Sequence, residues 1–253
     1  IAARVLSGED EEESTLLAQN MDLPLVLDGS QALLRIRQPD APEQVVLTAA
    51  GMIGLTGVNA AGLGICVNTL LSLRRSTSGL PVAFVLREAL KQVDAESAAA
   101  FLRSIPHASG QHYVVADPAH TIGLECSAGG CAEGPRDLEL VHTNHPLWSD
   151  DFDEGRLPTM HSTARMQRSE SRLQELTNGV EQVKLEGSAS GLLARSDVGL
   201  CVVPSEENPS TTFGSVEYLL TTPPRVRVAL GRPDLVPWHD IPWTVASIAG
   251  GGR

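Results

Sequence analysis

Two short polar clusters are the places where this chain could do chemistry. Gln19-Asn20-Met21-Asp22 and His142-Thr143-Asn144-His145 each stand beside an apolar, strand-like run. A carboxylate such as Asp22 can orient a nucleophile. A primary amide such as Asn144 can donate its hydrogens to the oxyanion that develops during acyl transfer. The same residue types also close turns by bonding their own backbone, so a structural reading stands beside the chemical one at both clusters. His142 and His145 on their own read as satisfied structural histidines. Other chemistries lack their signatures. There is no Gly-x-Ser-x-Gly elbow, and the Gly-rich stretch from Gly51 to Gly64 lacks the lysine of a phosphate loop. Cys66, Cys126, Cys131 and Cys201 include no C-x-x-C pair, and no histidines have H-E-x-x-H spacing, so no metal site is expected.

Strands must position these clusters. Ile1–Leu6 and Thr15–Asn20 read as two strands joined by an acidic hairpin tip at Glu9 to Glu13. Leu33–Arg37, Val45–Thr48 and Leu63–Leu70 follow as further strands. Pro81 suits a first helical turn, with Val82, Val85, Leu86 and Leu90 at helical spacing, and Asp94 is placed to cap a helix over Ala95–Ser104. Tyr113–Ala116 and Thr121–Glu125 flank an Asp117-Pro118 turn. Ser162–Leu176 reads as a helix, and Leu200–Val203, Phe213–Thr221 and Arg225–Leu230 as strands. Runs of one element type rather than strict alternation favour an α+β layered fold over a doubly wound sheet. The Gly-Gly-Gly near the end reads as a flexible terminus.

A chain of 253 residues can bury a core without staples, and 42% hydrophobic with 20% charged residues is an ordinary globular composition. The net charge of −12 argues against nucleic acid or an anionic membrane as the main partner. The longest apolar stretch, Val58 to Leu71, is interrupted by Asn59, Asn68 and glycines and does not reach membrane-spanning length. Scattered cysteines suit a reducing, cytoplasmic setting, each as a small core hydrophobe, with a Cys126–Cys131 pairing across a Gly-rich turn as the lesser alternative. The opening Ile-Ala-Ala-Arg-Val-Leu carries neither a secretory leader pattern nor an initiator Met.

Several segments, in order along most of the chain, resemble the acyl-coenzyme A:6-aminopenicillanic acid acyltransferase family of cysteine N-terminal nucleophile hydrolases. Leu16-Leu17-Ala18-Gln19-Asn20-Met21-Asp22 resembles its G-Q-N-W-D segment. Gly51-Met52-Ile53-Gly54, Asn59-Ala60-Ala61-Gly62-Leu63 and Asn68-Thr69-Leu70 resemble G-x-I-G, N-S-A-G-[LV] and N-A-L. Gly79-Leu80-Pro81 with Leu86-Arg87 and Leu90 resembles G-[LV]-P-x-x-x-x-L-R-x-x-L. His142-Thr143-Asn144-His145 resembles H-T-N-H, and Ser162, Arg165 and Arg168 resemble S-x-x-R-x-x-R. Ser210-Thr211-Thr212-Phe213 and Leu230-Gly231-Arg232-Pro233 resemble the closing strands.

The resemblance implies one domain over 1–253 with a four-layer αββα sandwich, and a precursor that cleaves itself to expose a Cys at the start of the larger β subunit while a smaller α subunit stays bound. It implies an acyltransferase or amidohydrolase acting on a small amide or thioester, such as a natural-product or amino-acid conjugate. An N-terminal Cys brings its own base, because a free α-amine has an ordinary pKa of about 7.7–8.0. Asp22 and Asn144 are then the catalytic candidates, and Asn68, His142, Arg165 and Asn208 the substrate-binding ones. No metal or resident cofactor is implied; coenzyme A thioester would be a co-substrate.

The chain departs from the family pattern at two places. Ile1 stands where Cys-Thr or Cys-Ser would begin the first strand, so the nucleophile is expected just upstream of Ile1. The alternative is a catalytically inactive relative that binds an acylated small molecule. Glu207 and Asn208, followed by Pro209, stand where the family has a Ser-Arg pair before the Ser210 strand, which argues against a penicillin-like carboxylate-bearing substrate unless Arg165 or Arg168 supplies the cation.

Overall fold

A computed structural model describes residues 1–7, 12–136, 139–155 and 163–244. The acidic tip from Glu9, the first residue of the Ser162 helix and the terminal glycines fall wholly or partly outside these residues. Among the described residues, twelve strands form two antiparallel sheets. One has five strands in the order β1-β2-β10-β11-β12, with β1 at Ala2–Ser7, β2 at Glu12–Pro24, β10 at Ser210–Leu220, β11 at Arg225–Ala229 and β12 at His239–Asp240. The other has seven in chain order: β3 (Gln31–Gln38), β4 (Ala41–Ala49), β5 (Thr56–Asn59), β6 (Gly64–Thr69), β7 (Gln111–Ala116), β8 (Thr121–Ser127) and β9 (Gly130–Glu133).

Side-chain alternation explains the layering. On β7, Tyr113 and Val115 join Val85, Leu86, Leu90, Ala98 and Leu102 in one buried cluster, while Val114 and Ala116 join Leu17, Val216 and Tyr218 of the other sheet in a second. On β1 and β2, Ala3, Val5, Leu16 and Ala18 pack with Val180, Val183 and Leu193 in a third. Each sheet is therefore buried on both faces, so its central strands read as continuous apolar runs rather than alternating ones. Helices α1 (Val82–Ala89) and α2 (Ala95–Ser104) cover the seven-stranded sheet. Helices α3 (Thr163–Glu186) and α4 (Ser190–Leu193) cover the five-stranded one. The result is the expected αββα sandwich.

Local chemistry sets the element ends. The Asp94 carboxylate caps α2 by accepting from Ser97 N at 2.7 Å. Asp117 closes its own turn by accepting from Ala119 N and His120 N, and also takes Ala95 N at the start of α2. Asn59 is fully buried, donates to Leu90 O and Gln92 O and accepts from Ala61 N and Leu63 N. It ties the β5–β6 turn to the end of α1. Asn59→Ala is expected to lower the unfolding free energy by about 2–4 kcal/mol, since it strands four partners, two of them buried and two part-buried; urea denaturation measures this, and a loss below about 1 kcal/mol would disprove the tie.

Several sequence expectations are corrected. Leu200–Val203 is not a strand: Val202 N bonds the Thr212 hydroxyl and Val202 O takes Thr212 N, single contacts that substitute for a ladder. The Ser162 helix runs on to Glu186, carried by Val180 and Val183 against β1. β5 went unrecognised because Thr56-Gly57-Val58-Asn59 is short and half polar. At Gly57 a Cβ would lie 2.8 Å from Leu90 Cδ1 and 3.0 Å from Val45 O, so a larger residue would have to displace its neighbours. Cys126 and Cys131, directly opposite on β8 and β9, form a disulfide, so they are not the free core thiols expected. The cysteine argument for a reducing compartment falls with that. No helix among the described residues is long and apolar enough to cross a membrane.

Candidate active site

The polar cluster of β2 and the His142 loop meet at one cavity of about 600 Å³ counting its open mouth, beside the start of β1. Gln19 faces the seven-stranded sheet, where its amide donates to Val67 O at 2.6 Å and accepts from Val67 N at 3.2 Å. That pair of bonds joins the two sheets one residue before Asn68 and fixes where Asn68 emerges. Asn20 faces the other way. Its amide donates to Leu193 O and Leu200 O, and its oxygen accepts from Ser215 Oγ at 2.6 Å.

Asp22 sits at the cavity where β10 bulges between Thr212 and Gly214, which brings Thr212 opposite it. Bulges commonly re-aim side chains next to sites. Thr212 Oγ1 donates to Asp22 Oδ1 at 2.7 Å, and Arg172 Nη1 lies 3.5 Å from Oδ2. Burial pushes the Asp22 carboxyl above its ordinary pKa, and the Arg172 charge and the Thr212 bond pull it back only in part. Asn144 is exposed at the rim and donates one of its two amide hydrogens to Thr69 O at 3.3 Å. Asn68 lines the same wall, with its Oδ1 3.5 Å from His112 Nδ1.

The remaining candidates divide. His142 reaches the cavity wall, but its ring nitrogens already face Glu125 Oε1 at 2.8 Å and Thr143 O at 2.6 Å. It has no polar atom to offer a substrate. Asn208 does not line the cavity; it closes a turn with Ser205 through two hydrogen bonds. Arg165 lies in the first turn of α3 with its side chain outside what is described, and Arg168 is exposed. The cation at the cavity is Arg172, one turn beyond Arg168, which sequence reasoning missed. Cys66 also lines the cavity, yet burial pushes its thiol up to about 11, so it is protonated at neutral pH and no nucleophile.

A carboxylate, two outward amides and a strand start converging on one apolar-walled cavity suit acyl transfer. Residues 9–191 match the model of the family described as acyl-coenzyme A:6-aminopenicillanic acid acyl-transferase. The chain belongs to this family. A relative named acyl-coenzyme A:6-aminopenicillanic-acid-acyltransferase 40 kDa form, from Emericella nidulans, is 31% identical over 135 residues, which is 52% of this chain and 38% of that relative's length. Among solved structures, penicillin V acylase from Agrobacterium tumefaciens superposes with a TM-score of 0.58 at 16% identity, covering 95% of this chain and 86% of its own. A conjugated bile acid hydrolase variant from Clostridium perfringens gives 0.54 at 11% identity, over 96% and 97%. An N-acylethanolamine-hydrolyzing acid amidase ortholog from Caenorhabditis elegans gives 0.52 at 16%, over 96% and 100%. At such identities the likeness is one of fold, and the fold is that of the N-terminal nucleophile hydrolases.

Proposed function

We propose that this family member is an acyltransferase or amidohydrolase that forms an acyl-enzyme on an N-terminal Cys immediately upstream of Ile1. The observation that carries this reading is the strand register at the cavity. Ile1 and Ala18 exchange both backbone hydrogen bonds, each at 2.9 Å. Continuing the pairing Ala3↔Leu16, Ala2↔Leu17 sets the residue before Ile1 opposite Gln19 and the one before that opposite Asn20. A chain end at either place opens beside Asp22, Asn68 and Asn144.

In this reading the α-amine takes the thiol proton, and the thiolate attacks an amide or thioester carbonyl. A C–S bond forms while the carbonyl π electrons move to oxygen, where Asn144 Nδ2 donates to the oxyanion. Collapse breaks the bond to the leaving amine or thiol, which departs with the proton from the α-ammonium. Water or a second amine then attacks the thioester and restores the free thiol. Asp22 holds the α-amine in position. The substrate's acyl group lies against Leu176, Leu193 and Leu200. The chemistry fits a small natural-product or amino-acid conjugate, with coenzyme A thioester as a possible donor substrate and no metal in any step. The chain is then the β part of a self-cleaved heterodimer.

Intact-mass spectrometry and N-terminal sequencing of the full gene product, with and without iodoacetamide, test this. The expected result is a Cys terminus shortly before Ile1, a separate smaller subunit and loss of acyl-donor turnover on alkylation. A product with no Cys exposed there would overturn the reading and leave a ligand-binding relative.

A further inference from the structure

Asn68 on β6, His112 on β7 and Glu125 on β8 stand directly opposite one another, Asn68↔His112 and His112↔Glu125. Residues paired in this way point to the same face. They form a polar row across the apolar face that packs against the other sheet, beside Cys66, Val114 and Ala116. A buried carboxylate in such a layer is costly unless its lone pairs are filled. Glu125 is fully buried and filled four times. Its Oε1 accepts from His142 Nε2 at 2.8 Å and Leu147 N at 2.6 Å, and its Oε2 from Trp148 N at 3.0 Å and Ser149 N at 2.7 Å.

All four donors belong to the loop that carries Asn144, and they flank it on both sides. His142 is also fixed from its other edge and its face. Its Nδ1 meets Thr143 O at 2.6 Å, so both ring nitrogens face acceptors. Its plane lies on His112 with centroids 3.5 Å apart and 14° between planes, and Trp148 abuts both rings at 5.4 Å. His112 is fully buried; burial first, and then the charge of His142, hold its pKa well below the ordinary value, so it is neutral. Its Nδ1 lies 3.5 Å from Asn68 Oδ1, at the outer limit of a hydrogen bond.

We propose that Glu125 is a positioning residue that, through His142 and the 147–149 backbone, fixes the rim loop so that Asn144 presents its amide to the reacting carbonyl. This rests on the acyl-transfer reading above for what Asn144 does, but the clamp itself is testable without it. Glutamine cannot replace Glu125, because its NH2 group would confront two of the four N–H donors. A misplacement of about 1 Å in a positioned group costs on the order of 10²-fold in rate.

The test compares Glu125→Gln, His142→Gln and His142→Ala with wild type in the full gene product. Readouts are kcat and KM on a panel of small amides and thioesters, melting temperature, and the Asn144 side-chain amide resonances in a ¹H–¹⁵N spectrum. Glu125→Gln is expected to lower kcat by about 10- to 100-fold with KM within about threefold, and to shift the Asn144 resonances. His142→Gln keeps a donor near the position of Nε2 and is expected to retain more kcat than His142→Ala. A folded Glu125→Gln protein with wild-type kcat and an unmoved Asn144 amide overturns the clamp. If Glu125→Gln does not fold, equal kcat in the two His142 variants overturns it instead. If wild type itself turns over nothing on the panel, the acyl-transfer reading fails, and the Asn144 resonances alone decide the clamp.

Discussion

Asn144→Ala is expected to lower kcat by about 10²–10³-fold, equivalent to about 2.7–4 kcal/mol of lost transition-state stabilisation, with KM within about threefold. The size follows from what the amide does in the ground state. It is exposed and makes one long bond to Thr69 O at 3.3 Å, so little of the fold depends on it. In the proposed mechanism its second hydrogen gains a strong acceptor only when the carbonyl oxygen becomes an anion. Losing it should therefore act on kcat. Stability should stay within about 0.5 kcal/mol, as for other exposed substitutions. Asn144→Asp is expected to be worse than alanine, because a carboxylate of nearly the same shape repels the oxyanion. Steady-state kinetics and melting temperatures of both variants check this. A kcat within about threefold of wild type in the alanine variant would remove Asn144 from the oxyanion site.

The parts of the fold that were legible in the sequence are those where one local rule acted alone. Asp94 before an alanine-rich run marks α2 because capping depends on neighbouring residues only. The paired strands around Asp117-Pro118 are marked by an Asx turn that the structure contains. Leu200–Val203 misled because four apolar residues look like a strand whether their backbone pairs with a ladder or with the one residue Thr212. At the site, Asp22 and Asn144 were readable as a carboxylate and an amide at strand ends. Arg172 was not, since among several helix arginines only the packing of α3 on β1 decides which one reaches the cavity. Asn208 failed for the converse reason: its backbone is spent on a turn with Ser205, which alignment to a motif does not show. Glu125 gave no signal because a glutamate inside a strand reads as a wet face, and its four donors come from residues 17 to 24 positions away.

Asp22→Asn is expected to lower kcat/KM by about 10²-fold, the loss that a misplaced reacting group produces, while leaving the protein at least as stable at neutral pH. The second half follows from linkage. Burial holds the folded-state pKa of Asp22 above its ordinary value, with Arg172 and Thr212 offsetting only part of this. Between the ordinary and the raised value the folded protein binds the extra proton, so stability falls as pH rises through that window. Above it the carboxylate is a standing cost. Asparagine carries no charge there and keeps an oxygen for the Thr212 hydroxyl. The variant should melt no lower than wild type at neutral pH, with the difference closing as pH is lowered through the window. Removing the cation instead separates the two effects. Arg172→Gln raises the Asp22 pKa further and should move the acid limb of kcat/KM to higher pH, because in the proposed mechanism the ionised carboxylate holds the α-amine in position. Melting curves and pH–rate profiles of the two variants decide the matter. An Asp22→Asn protein that is both fully active and less stable would make Asp22 a structural partner of Thr212 and nothing more, because the carboxylate would then contribute to the fold through that hydrogen bond and not to turnover.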